Sequence, residues 1–243
     1  MKDNFSHSSA DYAKFRPSYP KDVFEFLDSI LGKRERVWDC ATGNGQVAKE
    51  LVNLFEQVEA TDLSENQLKN AVSHPRISYS QQVAEQTNFP NDHFDCVTVG
   101  QAIHWFDFDK FNAEVKRVVR NDGFLVLLGY GNSIIEHEEV YRQVKQLYEG
   151  KLLEYWDPER VYIDEEYKTI PFPFEEIELP KFEARYNWTK DQLLGYLGTW
   201  SGLKHYKDAT GIDPLIELAE QLPAFETIEI RFPTLFKVGR INK

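Results

Sequence analysis

"VWDCATGNGQVAKELV" (37–52) decides how the chain is read. With Arg36, its opening forms "RVWDC" (36–40), an apolar run that fits a buried strand. Its end runs into "QVAKELVNLF" (46–55), where apolar residues recur at helical spacing. Between them stand Gly43 and Gly45. A strand, a glycine bend and a helix in that order make a cradle, because glycine accepts left-handed backbone and lets a ligand approach bare main chain. Gly43-x-Gly45-x-x-Ala48 fits the loose dinucleotide fingerprint. Asp62 lies 19 residues after Gly43, at the end of the next predicted strand. A carboxylate accepts two hydrogen bonds and a vicinal diol donates two, so Asp62 suits a ribose. Asp39, four residues before Gly43, narrows the ligand. It would repel a pyrophosphate and favour a cationic amino-acid moiety or a sulfonium.

Working outward, strand and helix patterns alternate as far as Gly131. "QVEATD" (57–62), "RISYSQQ" (76–82), "FDCVTVG" (94–100) and "FLVLLGYG" (124–131) read as further strands. "SENQLKNAV" (64–72) and "DFDKFNAEVKRVVR" (107–120) read as helices, the first with a capping-box pattern at Ser64 and Gln67. "NDG" (121–123) reads as a turn. This alternation predicts a Rossmann-like, doubly wound α/β sheet. The rhythm then breaks. "EHEEVYRQVKQLYEGKLLEYW" (136–156), "TKDQLLGYLGTW" (189–200) and "DPLIELAEQL" (213–222) look helical, with His205 and Tyr206 in a loop between the last two. "KFEARYNW" (181–188) looks like a strand, and "TIEIRFPTLFKVGRI" (227–241) like a strand interrupted at Pro233. The expectation is one domain spanning 1–243. It has an N-terminal segment and helix (1–31), a core (32–131), a lid (132–180 and 189–223) and closing strands (181–188 and 225–241). The sheet should have seven strands, the last antiparallel, with the helical lid inserted after the fifth.

Composition excludes several classes. A formal charge of −12 over 243 residues opposes binding to nucleic acid or to an anionic membrane surface. The longest apolar run, "FLVLL", is far too short to span a bilayer, and "MKDNFSHSSADYAKF" has no signal core. Cys40 and Cys96 both fall in predicted strands, so they read as core residues, and no Cys/His spacing suggests a metal. These readings predict a soluble protein of the reducing cytoplasm.

Four stretches together resemble class I S-adenosylmethionine-dependent methyltransferases: "VWDCATGNGQ", "ATDLSENQL", "AEQTNFPNDHFDCVTVGQAIHWFD" and "FNAEVKRVVRNDGFLVL". "YAKFRPSYP" (12–20), "HWFDFDKF", "GTWSGLKHYK" and "FPTLFKVGR" resemble the trans-aconitate methyltransferase-like branch (methyltransferase type 11). The resemblance implies S-adenosylmethionine as cofactor. It implies that Asp39, Ala41, Gly43 and Gly45 line its methionine half, that Asp62 holds the ribose, and that Leu63 lies beside the adenine. Ala84 and Glu85 would meet the adenine edge, where relatives often carry an acid at the position of Val83. Gln101 would sit near the cofactor amino group. Tyr12, Arg16 and Tyr19 lie in a proline-stiffened segment that could fold over the cofactor, with Arg16 gripping its carboxylate.

The same resemblance sets the chemistry: methyl transfer to a small molecule, with carboxylate O-methylation as the first reading. A carboxylate needs no base, whereas an amine or hydroxyl must lose a proton. His104, after the fourth strand, is the candidate catalytic group, as base, hydrogen-bond donor or packed residue. Trp105, Tyr130, Trp200 and Ser201 are candidates for the acceptor pocket. Two other classes stay open on the residues alone. One is an NAD-dependent oxidoreductase, the other a non-catalytic S-adenosylmethionine-binding module.

Overall fold

The computed structural model describes residues 15–243. Five strands form a parallel body: β1 (Arg36–Cys40), β2 (Gln57–Asp62), β3 (Ile77–Gln81), β4 (Phe94–Gly100) and β5 (Val119–Tyr130). Their order across the sheet is 3-2-1-4-5. Later in the chain come β6 (Ile134–Ile135), β7 (Glu175–Glu176), β8 (Glu183–Trp188) and β9 (Ile228–Arg240). Strand β9 lies antiparallel against β5 and carries β6, β7 and β8 as its other partners. Setting aside the two-residue strands β6 and β7, the sheet has the expected seven strands with the last antiparallel.

Period-two alternation winds helices onto both faces. On β1, Val37 joins one core while Trp38 and Cys40 join the other. On β5, Phe124, Val126 and Leu128 face the Val37 side and Leu125 and Leu127 the Trp38 side. Helix α1 (Lys21–Ile30) and helix α2 (Gln46–Leu51) cover the Val37 face through Val23, Leu27, Ala48 and Leu51. Helix α3 (Glu65–Lys69) follows β2. Helix α4 (Phe108–Val118) covers the Trp38 face through Phe111, Val115 and Val118. Cys40 and Cys96 are buried free thiols.

The lid contains α5 (Glu138–Gln146), α6 (Val161–Asp164), α7 (Lys190–Leu197), α8 (Ser201–Thr210) and α9 (Pro214–Gln221). It has its own core. Val140, Val144, Leu193, Leu197, Trp200 and Leu203 pack with Ile230 and Phe232 of β9. Thr189 caps α7 in a full capping box with Gln192. Among the described residues, no helix is long and apolar enough to cross a membrane.

Several local expectations are corrected. Strand β9 is not interrupted at Pro233 but runs through it. The proline stands where β9 changes partner: Glu183↔Pro233 is the end pair with β8, and Thr234↔Tyr130 begins the pairing with β5. The missing N–H falls at that exchange, and the Pro233 carbonyl still accepts Gly131 N–H at 2.9 Å. His205 and Tyr206 lie in helix α8, not in a loop; α8 ends at Gly211, whose φ of 72° closes it in a left-handed cap. The segment 136–156 is not one helix. Helix α5 stops at Gln146 and gives way to a π-turn over Leu147–Lys151, which contains the weak helix former Gly150. "NDG" (121–123) is an irregularity inside β5, with Asp122 at φ 62° beside a register shift against β4.

Phe232 is fully buried and its ring meets Tyr130, Trp188 and Tyr196. Phe232→Ala should destabilise the protein by about 3–5 kcal/mol in equilibrium urea unfolding. An unchanged midpoint would show that the lid core does not depend on β9.

Candidate active site

The carboxyl ends of β1, β2 and β4 open onto one cleft, as expected for a parallel sheet with a strand-order reversal between β1 and β4. The cleft encloses about 1150 Å³, its open mouth included. Two non-glycine residues flank it in left-handed backbone: Ala41 after β1 and Gln101 after β4, both at φ 53°. Such conformations cost energy and tend to mark sites where backbone must be aimed. Gly43 (φ 57°) and Gly45 (φ 84°) complete the bend, and Gly45 forms the N-cap of α2. A β-carbon at Gly45 would collide with the Tyr79 hydroxyl, so only glycine suits both its φ and its space.

The cleft is braced by its own acids. Asp62 accepts Gly43 N–H at 2.9 Å and Ser64 N–H at 2.8 Å, locking the glycine bend to the start of α3. A carboxylate oxygen can accept more than one such bond. Asp39 is fully buried and accepts the hydroxyl protons of Thr98, at 2.8 Å, and of Thr42. Burial raises its pKa from 3.8 to about 6, against the opposing pull of Thr42 and Thr98. Among the described residues, no basic side chain forms an ion pair with it.

A smaller cavity adjoins the cleft on the lid side. It is lined by His104, Trp156, Asp157, Arg160, Trp200 and Ser201, among others. Arg16, Gln101 and Trp105 line both spaces, so the two share a wall. Arg16 donates to Tyr130 Oη and to the Thr199 carbonyl, each at 2.8 Å, and so ties the N-terminal segment to β5 and the lid. Gln101 accepts Tyr130 N–H at 2.8 Å through Oε1. His104 is buried in the short turn after β4, with its ring 4.8 Å from that of Trp105. Burial first, then Arg160 and Arg16, push its pKa down from 6.5 to about 3. The imidazole is therefore neutral at any physiological pH. Trp156, one of the cavity's walls, lies close to Gly202: a β-carbon there would come within 2.9 Å of its ring.

The structure sorts the sequence candidates. Asp39, Ala41, Gly43, Asp62, Leu63, Gln101, Arg16 and Tyr19 converge on the cleft. Tyr12 lies outside the described residues. Gly45 shapes the bend without lining the cleft. Ala84 and Glu85 do not line it either. Ala84 is buried in the sheet core, and Glu85 accepts Asp107 N–H at 3.1 Å. A tight bridge between Val83 and Gln86 turns this segment, and the positive N-terminal end of α4 draws the carboxylate. Tyr130, expected in the acceptor pocket, lines the cleft instead, where its hydroxyl serves Arg16. Trp105 lines both spaces, whereas Trp200 and Ser201 line only the lid-side cavity. Sequence reading missed Gln67 in the cleft and Trp156 and Asp157 in the cavity. Gln67 had read only as a capping residue, and nothing in the spacing around Trp156 set it apart.

Comparison with known proteins agrees with this fold. The "Methyltransferase domain" family model matches residues 38–127. A Dictyostelium discoideum protein with a provisional methyltransferase name is 32% identical over 242 residues, covering 95% of this chain and 92% of its own. A solved structure from Anaeromyxobacter dehalogenans, provisionally named a type II methyltransferase, superposes with a TM-score of 0.85 at 39% identity, covering 94% of this chain and 99% of that one. A Bacillus halodurans structure at 24% identity and a TM-score of 0.55 shares the fold. The fold and the cleft thus define a Rossmann-like transferase. The chain belongs to the methyltransferase family, and membership implies that it uses S-adenosylmethionine. The oxidoreductase and non-catalytic readings fall away.

Asp39 carries a testable consequence. Its raised pKa means that the folded chain holds a proton which the unfolded chain has already released between about pH 4 and 6. Its contribution to stability is fully present below pH 3.8 and is lost as pH rises through about 6, a loss of about 3 kcal/mol. Without ligand, Asp39→Asn should therefore gain stability relative to wild type between pH 4.5 and 7.5, on the order of that amount. Parallel urea midpoints across the range would show that burial does not oppose the charge.

Proposed function

We propose that this protein transfers a methyl group from S-adenosylmethionine to a carboxylate oxygen of a small acid. The observation that carries the reading is the lid-side cavity. Arg16 and Arg160 flank it, Asp157 is the acid in its wall, and its histidine is held neutral. A group kept neutral by burial and two cations is a poor proton acceptor, so His104 would orient an acceptor by hydrogen bonding, not deprotonate it. An ionised carboxylate needs no base, and the arginines favour it. The likeness of "HWFDFDKF" and "GTWSGLKHYK" to the trans-aconitate branch supports the same acceptor chemistry.

The residues of the cleft fit the cofactor. Asp62 has acceptor capacity for a ribose diol, and Leu63 lies beside it as an apolar wall for a base. Gly43 and Ala41 bring bare backbone to the cleft. Asp39 is a buried carboxylate that a ligand's cationic end would complement. When bound, S-adenosylmethionine supplies a methyl group on a cationic sulfur. The protein's part is to hold the acceptor oxygen in line with that methyl and to exclude water, which the shared wall of Arg16, Gln101 and Trp105 is placed to do.

Labelled methyl from S-adenosylmethionine, offered against carboxylic acids, amines and phenols, should appear as a base-labile ester of an acid. Transfer confined to amines or phenols would overturn the acceptor assignment. Asp62→Ala should weaken S-adenosylhomocysteine binding by about 1–3 kcal/mol in calorimetry, the scale of a lost charge-assisted pair. Unchanged affinity would remove Asp62 from the site.

A further inference from the structure

Two residues that line the lid-side cavity each hold a buried side-chain nitrogen for which the described residues offer no partner. Trp200 Nε1 and His104 Nδ1 are sealed from solvent and have no hydrogen-bond partner among the described residues. Buried polar groups are almost always paired, and an exception calls for a specific reason. The two cases differ. A neutral imidazole can donate at one nitrogen and accept at the other, whereas an indole can only donate. Trp200 therefore needs an oxygen or another lone pair, and nothing else will satisfy it.

Trp200 cannot easily turn to find one. Its ring is wedged among Tyr148 and Trp156, each at 5.5 Å between centroids, and Tyr196 at 5.9 Å. It also stands at the N-cap of α8, where the backbone is fixed. Arg160 borders the same cavity, its guanidinium 5.1 Å from the Trp156 ring. Arg160 Nε donates to Tyr148 Oη at 2.9 Å, and Nη2 to the Asn132 side chain. The lid thus presents a rigid neutral donor beside a fixed cation, and His104 stands in the core wall of the same space.

We infer that Trp200 is a specificity-determining residue: its indole N–H takes an oxygen of the methyl acceptor, with Arg160 alongside. The inference rests on the acid-acceptor reading above and adds the residue that does the selecting. An acid brings the lone pair that Trp200 lacks. An ammonium brings none, leaves the indole unserved, and meets Arg16 and Arg160 as like charges. Because Trp200 belongs to the lid and His104 to the core, an acceptor touching both would also bridge the two.

The test uses the full chain with ¹⁵N-labelled indoles, saturated with S-adenosylhomocysteine, the Trp200 signal being assigned by its loss in Trp200→Phe. Acetate, benzoate, succinate and benzylamine are then titrated, with calorimetry in parallel. The Trp200 indole proton should move downfield with at least one acid and stay unmoved with benzylamine. With that acid as methyl acceptor, Trp200→Phe should raise KM about tenfold or more while leaving kcat and S-adenosylhomocysteine affinity little changed. Replacing the Trp200 indole by benzothiophene, which keeps the ring and removes the N–H, should raise KM equally; a packing role would leave it unmoved. An acid that binds by calorimetry without moving the indole would overturn the inference, as would a wild-type KM in the benzothiophene variant. Binding of S-adenosylhomocysteine with none of the acids bound would instead sink the acid-acceptor reading, and this inference with it.

Discussion

One strand has to serve two structures. The C-terminal half of β9 completes the main sheet against β5, from Thr234↔Tyr130 to Arg240↔Phe124. Its N-terminal half pairs with β8 and β6 and supplies Ile230 and Phe232 to the lid core. The cleft belongs to the first structure and the lid-side cavity largely to the second. The distance between them is therefore held by continuous backbone, and a sheet ladder is far stiffer than a loop hinge. Arg16 reinforces the join at the wall itself, bonding Tyr130 on the sheet side and Thr199 on the lid side. A reaction that needs a methyl group and a nucleophile in line depends on that fixed spacing.

Desolvation acts on the two central titratable groups in opposite directions and with one outcome. It raises Asp39 and lowers His104, so both are driven toward neutrality. The difference lies in their surroundings. Asp39 has two threonine hydroxyls that favour the charged form, and it stays mostly ionised near neutral pH. His104 has Arg160 and Arg16 nearby, which oppose its charged form further. One wall of the site thus invites positive charge while the other refuses it.

The parallel core was legible because its signals are local. Val37 and Trp38 alternate faces within one short strand, and the glycine bend follows at once. Asp62 could be found by spacing alone, since β2 and β1 pair in parallel and bring Asp62 beside Gly43. Ala84 and Glu85 fall outside the cleft lining because a bridge between Val83 and Gln86, invisible to periodicity, turns Glu85 toward α4. Pro233 misled because a proline in a strand reads as a stop, and only the change of partners shows why it is tolerated. The lid-side cavity was least legible. Trp156, Arg160 and Trp200 meet through the packing of short turns and helices whose contacts no periodic pattern encodes.

Glycine at position 202 is what lets the Trp156 ring lie where it does. The indole lies where any larger side chain at position 202 would have to be, and that ring is one wall of the lid-side cavity. Each carbon added at position 202 would push the Trp156 ring out of place without touching a residue that lines the cleft. The shape of the lid-side cavity can thus be altered from the lid while the cleft stays as it is.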